Sequence, residues 1–361
     1  MNRLKIIKLN NNLEVAPDIS IIIVFETFPN KNIELLLKST NRLMVNYEII
    51  LVTHNIEKGV NVEQYLTEQL SCTSKLVTIR IIVMDLDMDK GPASRRNLGA
   101  LLSNSANLLF ADDDAMILDD LTPLLQYLRD GVCQGVQPLM LRLANTEIVD
   151  SAGDFARKNI HRAFYTAYSR GAGTRISELL GDLYVEQVPS MRSAFMIVNK
   201  EAFLSVGGFD GTFNFLYEDV DLGWRMVVAG YKLLFVPSVR ALHKGGKTTV
   251  KSKQYEKVYR LGLLNLHGMH LKVFEYYHWP YIIARFLKYQ LLFELWFWRV
   301  NRAEEGLLDP VRNVIVMDRQ FIERIKAALM HRRILSDKFH FAGRKELQEM
   351  TQGKRFIYNR E

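Results

Sequence analysis

The stretch ANLLFADDDAMILDD, residues 106–120, joins an apolar run to three consecutive aspartates, Asp112, Asp113 and Asp114. The apolar run is typical of a strand that is covered on both faces of a parallel sheet. Carboxylates in consecutive positions repel one another, and each of them resists removal from water. The stretch therefore predicts a buried strand that ends in an acidic turn, where a positively charged group would find three carboxylates.

The segments before this stretch alternate between strand-like and helix-like patterns, which predicts a mostly parallel α/β sheet. The strand-like segments are apolar and often β-branched, namely ISIIIVF (19–25), YEIILVTH (47–54), LVTIRIIVMD (76–85) and ANLLFA (106–111). The helix-like segments have apolar residues at helical spacing, namely NIELLLKSTNRLM (32–44), VEQYLTEQLS (62–71) and ASRRNLGALLSNS (93–105). Ligands of such sheets bind at the carboxyl ends of the strands, and the three aspartates lie at such an end.

The pattern is less regular over residues 139–188, where glycines, arginines and aromatic residues follow no firm period. This part predicts a long connection that is partly loop, of the kind that often lies beside a functional site. Regular patterns return with SAFMIVNKEAFLSVGGFD (193–210), which predicts a strand, a short helix and a glycine turn. The next segment predicts a helix over residues 220–229 and a strand that ends at His243.

Length and composition are those of a globular protein with one large domain and an appendage. The 361 residues are 48% hydrophobic and 24% charged, which argues against a wholly disordered chain. The two cysteines, Cys72 and Cys133, form neither a disulfide framework nor a metal-ligand pattern, so we expect a reducing compartment. The N-terminal residues lack the apolar segment and cleavage site of a secretory signal, which predicts a cytoplasmic location.

Charge is unevenly distributed along the chain, although the net charge is only +7. From Arg240 onward the chain has 24 Lys and Arg residues and 12 Asp and Glu residues, which give a net charge of +12. The preceding 239 residues have 23 Lys and Arg residues and 28 Asp and Glu residues, which give a net charge of −5. The imbalance fits an anionic partner such as nucleic acid, a membrane surface or a phosphorylated ligand, and it also fits a well-solvated helical tail.

The last third is helical in character, and its most apolar segment is WPYIIARFLKYQLLFELWFWRV, residues 279–300. A membrane-spanning helix needs about 20 apolar residues with few or no charges, and Arg285, Lys288 and Glu294 interrupt this segment. Two interpretations stay open. The segment is either an interfacial helix on a membrane surface or a helix packed on the core of the protein.

Two interpretations of the triple aspartate are also open. An acidic loop in solvent would need no partner. In an extended turn, alternate residues point to opposite sides, so Asp112 and Asp114 would face one way and Asp113 the other. Mg²⁺ takes one or two carboxylates and completes its shell with water and substrate phosphates. A D-x-D pair at the end of a strand therefore suits a metal–nucleotide complex.

A second acidic cluster lies in GGFDGTFNFLYEDVDLGWR, residues 207–225. Helix formation alone explains Asp221, because an acidic residue at a helix start complements the helix dipole and Arg225 lies one turn further on. Glu218 and Asp219 fall before the predicted helix, where a carboxylate can serve as a general base.

His243 ends the last predicted strand, and Lys244 and Lys247 follow it in VRALHKGGKTTVK. A single histidine is more often structural than functional. Beside the acidic clusters, however, it offers a metal ligand with basic residues that suit a phosphate.

The order of these segments resembles that of the rhamnosyltransferase-like glycosyltransferases of family 2, which have the GT-A fold and build bacterial surface polysaccharides. The matching pieces span residues 17–245, and they are ISIIIV, YEIILV, GPASRRNLGALLSNSANLLFADDDAMI, SAFMIVNKEAFLSVGGFD and YEDVDLGWRMVVAGYKLLFVPSVRALH. The resemblance implies an α/β, Rossmann-like mixed sheet in a glycosyltransferase domain over residues 1–245. A mostly helical, basic and aromatic region would follow over residues 246–361.

The resemblance assigns the first cluster to the donor. It implies that Asp112 and Asp114 bind Mn²⁺ or Mg²⁺ on the donor diphosphate and that His243 completes the metal shell. Asp113 matches the position that contacts the ribose or sugar of the donor. A divalent ion would stabilise the negative charge that develops on the leaving diphosphate.

The resemblance assigns the second cluster to catalysis. Asp219 of YEDVD matches the catalytic base, and Glu218 matches a residue that contacts the acceptor or the sugar. Arg96 of RRN matches the arginine beside the nucleotide, and Arg225 matches the arginine that closes the helix after the ED pair. A base on the face of the sugar opposite the diphosphate implies transfer with inversion.

Two stretches depart from the family pattern. The family has a V-x-Y-N-like stretch after the first strand, and this chain has VFET at residues 24–27. The family has an acidic D-x-G-S after the second strand, where this chain has Thr53, His54 and Asn55. Asn55 and His54 are then the candidates for hydrogen bonds with a uracil or thymine edge, and Glu26 is a candidate substitute for the missing carboxylate. The Q-x-x-R-W motif of processive members is missing, which favours single transfers.

These features predict an inverting, metal-dependent hexosyltransferase that uses a UDP- or dTDP-sugar. The acceptor would be a hydroxyl of a glycan or a polyprenyl-diphosphate-linked precursor in surface polysaccharide assembly. The basic, aromatic C-terminal region fits peripheral attachment of a cytoplasmic protein to the inner membrane face. The alternative is a non-catalytic GT-A module that binds sugar nucleotide or glycan. A nucleic-acid partner is not expected, because the basic region carries no recognisable binding motif.

Overall fold

The computed structural model describes most of the chain, and the fold is given for those parts. The described residues are 4–9, 15–70, 75–84, 89, 91–158, 165–213, 216–245, 252–301 and 309–358. Cys72 and Lys247 lie outside them, and Cys133 is buried.

Eleven of the strands in the described residues form one mixed sheet. In chain order the strands are β1 (Leu4–Leu9), β2 (Ile19–Val24), β3 (Thr27–Phe28), β4 (Tyr47–Thr53), β5 (Asn55–Ile56), β6 (Leu76–Met84), β7 (Asn107–Asp112), β8 (Ala115–Ile117), β9 (Gly135–Arg142), β10 (Asn145–Ser151), β11 (Asp154–Lys158), β12 (Tyr165–Ser169), β13 (Glu186–Gln187), β14 (Phe195–Asn199) and β15 (Leu233–His243). The sheet order is β1-β6-β4-β2-β7-β14-β9-β15-β13, with β10 beside β9 and β8 beside β15. Two small sheets pair β11 with β12 and β3 with β5.

The four strands predicted from the first part of the chain lie side by side and run parallel. Strand β2 pairs with β4 and β7, and β4 pairs with β6. Strand β14 runs antiparallel to β7 and β9, which makes the sheet mixed, as the predicted fold class requires. Strand β1, whose short LKIIKL pattern was not predicted as a strand, adds an antiparallel edge to β6. Because β2, β4 and β7 are parallel, their carboxyl ends share one edge of the sheet.

Strand β2 shows why the sheet is covered on both faces. Ile22 and Val24 pack with Phe110 in the hydrophobic cluster on one face. Ile21 and Ile23 belong to the cluster on the other face. Alternate residues of a strand point to opposite faces, so a continuous apolar run is what two covered faces require.

The helices place the second acidic cluster and build the C-terminal region. In chain order they are α1 (Ile33–Ser39), α2 (Val62–Leu70), α3 (Pro92–Leu102), α4 (Thr122–Arg129), α5 (Lys200–Ser205), α6 (Glu218–Val228), α7 (Ser252–Val273), α8 (Trp279–Asn301), α9 (Asp309–Phe339) and α10 (Arg344–Thr351). Helix α6 begins two residues earlier than predicted. Glu218 and Asp219 therefore lie in its first turn, and the prediction that they belong to the preceding loop was wrong.

Residues 139–188 are more regular than predicted, because they contain β10, β11 and β12 as well as two short 3₁₀ helices. The pairing of β10 with β9 is interrupted by register shifts. Several buried side chains in this part are polar, among them Asp150, Ser151 and Asp154. The alternation of apolar residues that would have predicted these strands is absent, because polar side chains take the buried positions.

The C-terminal helices α7, α8 and α9 pack around a hydrophobic cluster of their own, which includes Ile282, Phe286 and Phe321. Helix α8 thus has a buried face, but Leu291 and Leu295 on it are 53% and 51% exposed. Both interpretations of this segment keep some support, since one face belongs to a core and the other faces solvent. Within the described residues, no helix is both long enough and apolar enough to cross a membrane.

A buried ion pair joins the helical region to the sheet region. Lys272 of α7 is fully buried, and its Nζ lies 2.5 Å from Asp210 and 2.7 Å from Asp221. Removing one partner of a buried ion pair leaves an uncompensated charge, which is strongly destabilising. Helix α7 is therefore held beside α6, next to the second acidic cluster.

Candidate active site

The triple aspartate forms the turn between β7 and β8, at the carboxyl edge of the parallel strands. Asp112 is the last residue of β7, and β8 pairs with the end of β15. This pairing brings a ligand atom from each of Asp112, Asp114 and His243 within 4.8 Å of one another. The three predicted metal ligands are thus neighbours in space, although His243 is distant from the aspartates in sequence.

The chemistry of these three side chains suits a divalent cation. Carboxylate oxygens are the preferred ligands of Mg²⁺ and Mn²⁺, and an imidazole nitrogen is accepted more readily by a transition-metal ion. The Nε2 atom of His243 lies 3.2 Å from Oδ1 of Asp114, so the imidazole faces the carboxylates. The residues present therefore fit the predicted Mn²⁺ or Mg²⁺.

Asp150 of β10 orients the histidine. The Nδ1–H of His243 donates to Oδ2 of Asp150 at 3.0 Å, which leaves Nε2 directed at Asp114. Burial disfavours the imidazolium, but the hydrogen bonds and charges of Asp114 and Asp150 raise the pKa of His243 to about 10. A carboxylate that holds the second nitrogen of a ligating histidine is a common feature of metal sites.

Asp113 is not among the three side chains whose ligand atoms converge at this turn. The side-chain amide of Asn30, in the segment that follows β3, donates to Oδ2 of Asp113 at 2.5 Å. Burial raises the pKa of Asp113, and the charges of Asp114 and Asp112 add to this effect. Asp113 is thus positioned apart from the metal ligands but on the same turn.

Arg96 of α3 joins the two acidic clusters. Its Nη2 lies 2.6 Å from Oδ1 of Asp112, and its Nη1 lies 3.2 Å from Oε1 of Glu218. Burial alone would lower the pKa of Arg96, but the charges of Asp112 and Glu218 raise it. One guanidinium thus contacts both stretches, which means that the clusters share a cleft.

Asp219 lies at the start of α6, where the backbone N–H of Val220 donates to its Oδ1 at 2.8 Å. The backbone N–H of Ser193 donates to its Oδ2 at 3.2 Å. Burial raises the pKa of Asp219 to about 7, and the negative charges of Glu218 and Asp154 contribute to the rise. A carboxylate with a pKa near neutrality can take up a proton from a hydroxyl and is suited to general-base catalysis.

The turn before Asp219 is strained. Leu216 and Tyr217 both have positive φ values, 70° and 66°. Bulky residues rarely adopt this conformation, which persists only where surrounding contacts impose it. Asn265 of α7 provides one such contact, because its side-chain amide donates to the carbonyl oxygen of Leu216 at 2.9 Å. A C-terminal helix therefore helps to set the turn that leads into the second cluster.

Arg225 is not brought into the cleft. Its side chain is fully buried, and its Nε donates to Oδ2 of Asp221 at 2.9 Å, as the helical spacing predicted. Its two terminal nitrogens donate to the carbonyl oxygens of Val206 and Gly208 at 2.8 and 2.7 Å. All three nitrogens bind groups of the protein and the side chain is fully buried, so in this structure Arg225 fixes α6 against the preceding loop.

Two of the three predicted base-contacting residues, Glu26 and Asn55, lie near each other at the strand ends. Glu26 follows β2 and Asn55 starts β5, and both are exposed. Residue Thr27 pairs with Asn55 in the small β3–β5 sheet. His54 is engaged instead with Asp89, whose Oδ2 lies 3.1 Å from its Nδ1. Asp89 thus supplies an acidic group beside the position where the family motif has its aspartate, although it comes from a different segment.

A cavity of about 440 Å³ lies next to Asp219. Residues from β11, β12 and the loop before β14 form one side, and residues from α7 and α8 form the other. The lining includes Asp154, Ala167, Tyr168, Ser169, Arg192, Leu216, Tyr217, Asp219, Val220, Val258, Tyr259, Gly262, Leu263, Leu266, His267, Arg285 and Tyr289. A volume of this size can hold a small-molecule group such as part of a glycan.

Four polar residues near the two clusters were not predicted from the sequence, namely Asp89, Asp150, Asp154 and Arg192. Arg192 contacts two of the others, since its guanidinium lies 2.9 Å from Asp150 and 3.5 Å from Asp154. Asp150 and Asp154 stand in the stretch that showed no period, and Arg192 precedes a strand. Only the tertiary pairing of β9, β10 and β15 brings them to the cleft, so local sequence contained no signal for them beyond their charge.

Known proteins similar to this chain are glycosyltransferases, although no family model matches it. A pre-mycofactocin glycosyltransferase of Mycobacterium tuberculosis is 30% identical over 156 residues, which are 43% of this chain and 30% of that protein. An N-acetylglucosaminyl-diphospho-decaprenol L-rhamnosyltransferase of the same species is 43% identical over 54 residues, 15% of this chain and 18% of that protein. The matched segments thus span less than a third of either relative.

The fold is also found among solved structures. A crystal structure of GalNAc-T7 with UDP, GalNAc and Mn²⁺ superposes with a TM-score of 0.55 at 16% identity, over 88% of this chain and 58% of that one. At this identity the likeness concerns the fold alone. The predicted GT-A fold is confirmed, and parts of the chain are similar in sequence to a pre-mycofactocin glycosyltransferase and to a decaprenol rhamnosyltransferase.

Proposed function

We propose that the protein is a metal-dependent, inverting glycosyltransferase that moves a hexose from a UDP- or dTDP-sugar to a hydroxyl of a glycan or lipid-linked acceptor. The contact of Arg96 with both Asp112 and Glu218 is the observation that carries the proposal. A metal-binding pair and a base are useful to glycosyl transfer only when they face one substrate. The names of the similar proteins support the same class of reaction.

In this proposal Asp112, Asp114 and His243 hold Mn²⁺ or Mg²⁺, which would neutralise charge on the donor diphosphate. Asp113 contacts the ribose or the sugar of the donor. The GalNAc-T7 structure contains UDP and Mn²⁺, which supports a nucleotide-sugar donor with a divalent ion.

Asp219 acts as the base in a single displacement. Its carboxylate takes the proton of the acceptor hydroxyl while the acceptor oxygen bonds to the anomeric carbon of the donor. The bond from that carbon to the diphosphate oxygen breaks, and the nucleoside diphosphate leaves with the electron pair. Attack from the face opposite the leaving group inverts the anomeric centre.

The remaining site residues orient the two substrates. Glu218 contacts the acceptor or the sugar, and Arg96 neutralises charge between the clusters. Glu26 and Asn55 contact the base of the nucleotide. Arg225 fixes α6 against the preceding loop, since each of its three side-chain nitrogens binds a group of the protein.

We also propose that residues 1–245 form the catalytic domain and that residues 246–361 bring it to a membrane surface. Several large apolar side chains of α8 and α9 are about half exposed, namely Leu287, Leu291, Leu292, Leu295, Trp296, Val311, Ile315, Val316 and Ile322. An apolar surface in a region with 22 Lys and Arg residues and 12 Asp and Glu residues, a net charge of +10, is suited to the interface of an anionic membrane. A polyprenyl-diphosphate-linked acceptor on the inner face of the cell membrane would be met there by an otherwise cytoplasmic protein.

Screening UDP-, dTDP- and GDP-sugars for thermal stabilisation, with and without Mn²⁺, tests the proposal. A ligand that binds only the folded state raises its stability by mass action, so we expect a UDP- or dTDP-sugar to raise the melting temperature when Mn²⁺ is present. Release of nucleoside diphosphate should accompany binding. Stabilisation without any turnover would favour the non-catalytic alternative, and no stabilisation by any donor would contradict the proposal.

A matched pair of variants controls the screen. Asp114→Asn should lose the Mn²⁺-dependent part of the stabilisation. Asp337→Asn makes the same change on an exposed part of α9, where Asp337 is paired with Arg333, and should keep it.

A further inference from the structure

The cavity beside Asp219 extends from the cleft to the C-terminal helices. Asp219 and Asp154 line its end near the sheet, and Tyr259, His267 and Arg285 line its helical wall. An acceptor whose reacting hydroxyl meets Asp219 therefore has the rest of its structure in contact with α7 and α8. The helical wall is then part of the acceptor site.

Arg285 on this wall is a buried cation without a counter-ion. Its side chain belongs to a residue that is only 9% exposed, and its Nε and Nη2 are buried without a hydrogen-bond partner. Its guanidinium carbon lies 4.5 Å from the centroid of the Tyr289 ring. Among the described residues, no carboxylate lies within ion-pair distance of Arg285. An unpaired buried charge destabilises the folded protein unless a group of opposite charge binds to it.

The other buried arginines of the described residues each have acceptors for some of their nitrogens. Arg324 donates to the side-chain oxygen of Asn265 at 2.9 Å, and Arg332 donates to the backbone carbonyl of Leu271 at 3.2 Å. Arg192, at the other end of the cavity, is neutralised by Asp150 and Asp154. Arg285 therefore differs from buried arginines that have a structural role.

In the part of the chain that the structure describes, no carboxylate lines the helical end of the cavity. His267 is buried there, and burial lowers its pKa to about 4, with the nearby charge of Arg285 adding to the effect. Its Nδ1–H donates to the carbonyl oxygen of Leu263 at 2.8 Å, so the ring is neutral near pH 7. The cavity is thus acidic at Asp219 and cationic at Arg285, which would orient an acceptor that carries one negative group.

Building on the proposed function, we propose that the acceptor is an acidic carbohydrate whose carboxylate or phosphate group pairs with Arg285 while its reacting hydroxyl faces Asp219. A guanidinium binds such oxyanions through two parallel hydrogen bonds. Four tyrosines line the cavity and supply aromatic surface for the sugar rings, namely Tyr168, Tyr217, Tyr259 and Tyr289. The anionic group can belong to an acidic sugar or to the phosphate at the anomeric carbon of a lipid-linked glycan.

Three small sugars test this assignment on the full-length protein with UDP and Mn²⁺ present. Methyl glucoside is neutral, methyl glucuronide carries a carboxylate, and glucose 1-phosphate carries an anomeric phosphate. We expect at least one charged sugar to bind tenfold or more tightly than methyl glucoside in calorimetry. A preference for glucuronide indicates an acidic sugar, and a preference for glucose 1-phosphate indicates the phosphate of a lipid-linked glycan.

Arg285→Met should abolish this preference, and Arg285→Lys should retain part of it. Arg285→Met should not lower the melting temperature, because it removes a buried charge that has no partner. Arg333→Met is the control, since Arg333 lies on α9 with its side chain 83% exposed, and the preference should survive there. Equal binding of all three sugars to the parent, or a preference that persists in Arg285→Met, would overturn the inference.

The test also separates this inference from the proposed function. If the parent prefers a charged sugar through Arg285 but transfers no sugar from any donor, the anion site stands and the enzyme proposal fails. If the parent glycosylates neutral acceptors and Arg285→Met leaves the KM for every acceptor unchanged, the enzyme proposal stands and this inference fails.

Discussion

Asp114 and Asp219 are the same residue type in one cleft, yet their surroundings shift their pKa values in opposite directions. Burial raises the pKa of both carboxyl groups. At Asp114 the hydrogen bond and charge of His243 outweigh burial and lower the pKa. At Asp219 the charges of Glu218 and Asp154 add to burial and raise the pKa to about 7. One carboxylate is thus kept ionised, as a cation requires, and the other is held near the point where it exchanges a proton.

Asp221 shows that burial alone does not produce a base. It lies two positions after Asp219 on the same helix and is fully buried. Its two oxygens are compensated, however, because Lys272 lies 2.7 Å away and Arg225 donates to it at 2.9 Å. The difference between the two aspartates is therefore one of partners. Asp221 faces the cations between helices, and Asp219 faces the cavity.

The largest effect is expected from Asp219→Asn, which removes the proposed base and leaves the proposed metal ligands intact. Loss of a general base typically costs 10²- to 10⁴-fold in rate. We expect the transfer rate to fall by about this factor while UDP and Mn²⁺ still bind, because neither contacts Asp219 in the proposed arrangement. Rates from product assays and affinities from calorimetry measure the two quantities separately.

The control for this variant is Asp337→Asn, which should keep both the rate and the affinity. Undiminished transfer in Asp219→Asn would show that another group takes the proton, and the contrast between the two carboxylates would lose its functional meaning. A parallel loss of donor binding would instead place Asp219 at the donor.

A smaller effect is expected from Asp150→Asn, which tests the candidate metal site formed by Asp112, Asp114 and His243. Asp150 holds Nδ1 of His243, and losing such an orienting carboxylate commonly weakens metal binding by about 10- to 100-fold. The affinity for Mn²⁺ in the presence of UDP, measured by calorimetry, should fall by this factor. Asp119→Asn, which removes a carboxylate paired with Arg240 near the surface, should leave it unchanged. Unaltered Mn²⁺ affinity in Asp150→Asn would show that His243 needs no support or is no ligand.

The sequence predicted those parts of the cleft whose signal is local. A continuous apolar run identifies a covered strand, and a D-x-D pair at its end is recognisable because the turn follows at once. The helix after Tyr217 was predicted two residues late, because positive φ values at bulky residues have no sequence signal comparable to that of glycine. The position of Asp219 in a helical turn therefore became known only from the fold.

The residues that set the pKa values were beyond prediction, because they act across long distances in sequence. Asp150 reaches His243 only through the pairing of β9 with β10 and β15, and β10 is irregular. Arg285 has an ordinary place in an apolar helix, and its isolation follows from the absence of acidic neighbours in the described residues. The sequence shows which charged residues are present, but whether a buried charge is compensated depends on which residues are in contact in the folded protein.

The smallest expected effect is a dependence on pH. The ionisation of Asp219 should change both the transfer rate and the stability of the protein. Because burial and neighbouring carboxylates raise the pKa of Asp219 to about 7, its base form is present only above that pH. The transfer rate should therefore rise about tenfold per pH unit below 7 and level off above it, as expected for one ionising group. In Asp219→Asn the residual rate should not follow this profile.

Stability should follow the opposite trend, since the folded state holds this proton more tightly than the unfolded chain. With a folded pKa near 7 and an ordinary unfolded value near 4, the contribution of Asp219 to the free energy of unfolding decreases as the pH rises from about 4 to about 7 and is constant above. Asp219→Asn should thus be more stable than the parent at pH 8, with a smaller difference at pH 5. Urea unfolding at the two pH values measures this difference. If the rate rises through pH 7 but the stability difference does not change with pH, the rate reports another group, because one carboxyl cannot titrate in catalysis without titrating in folding.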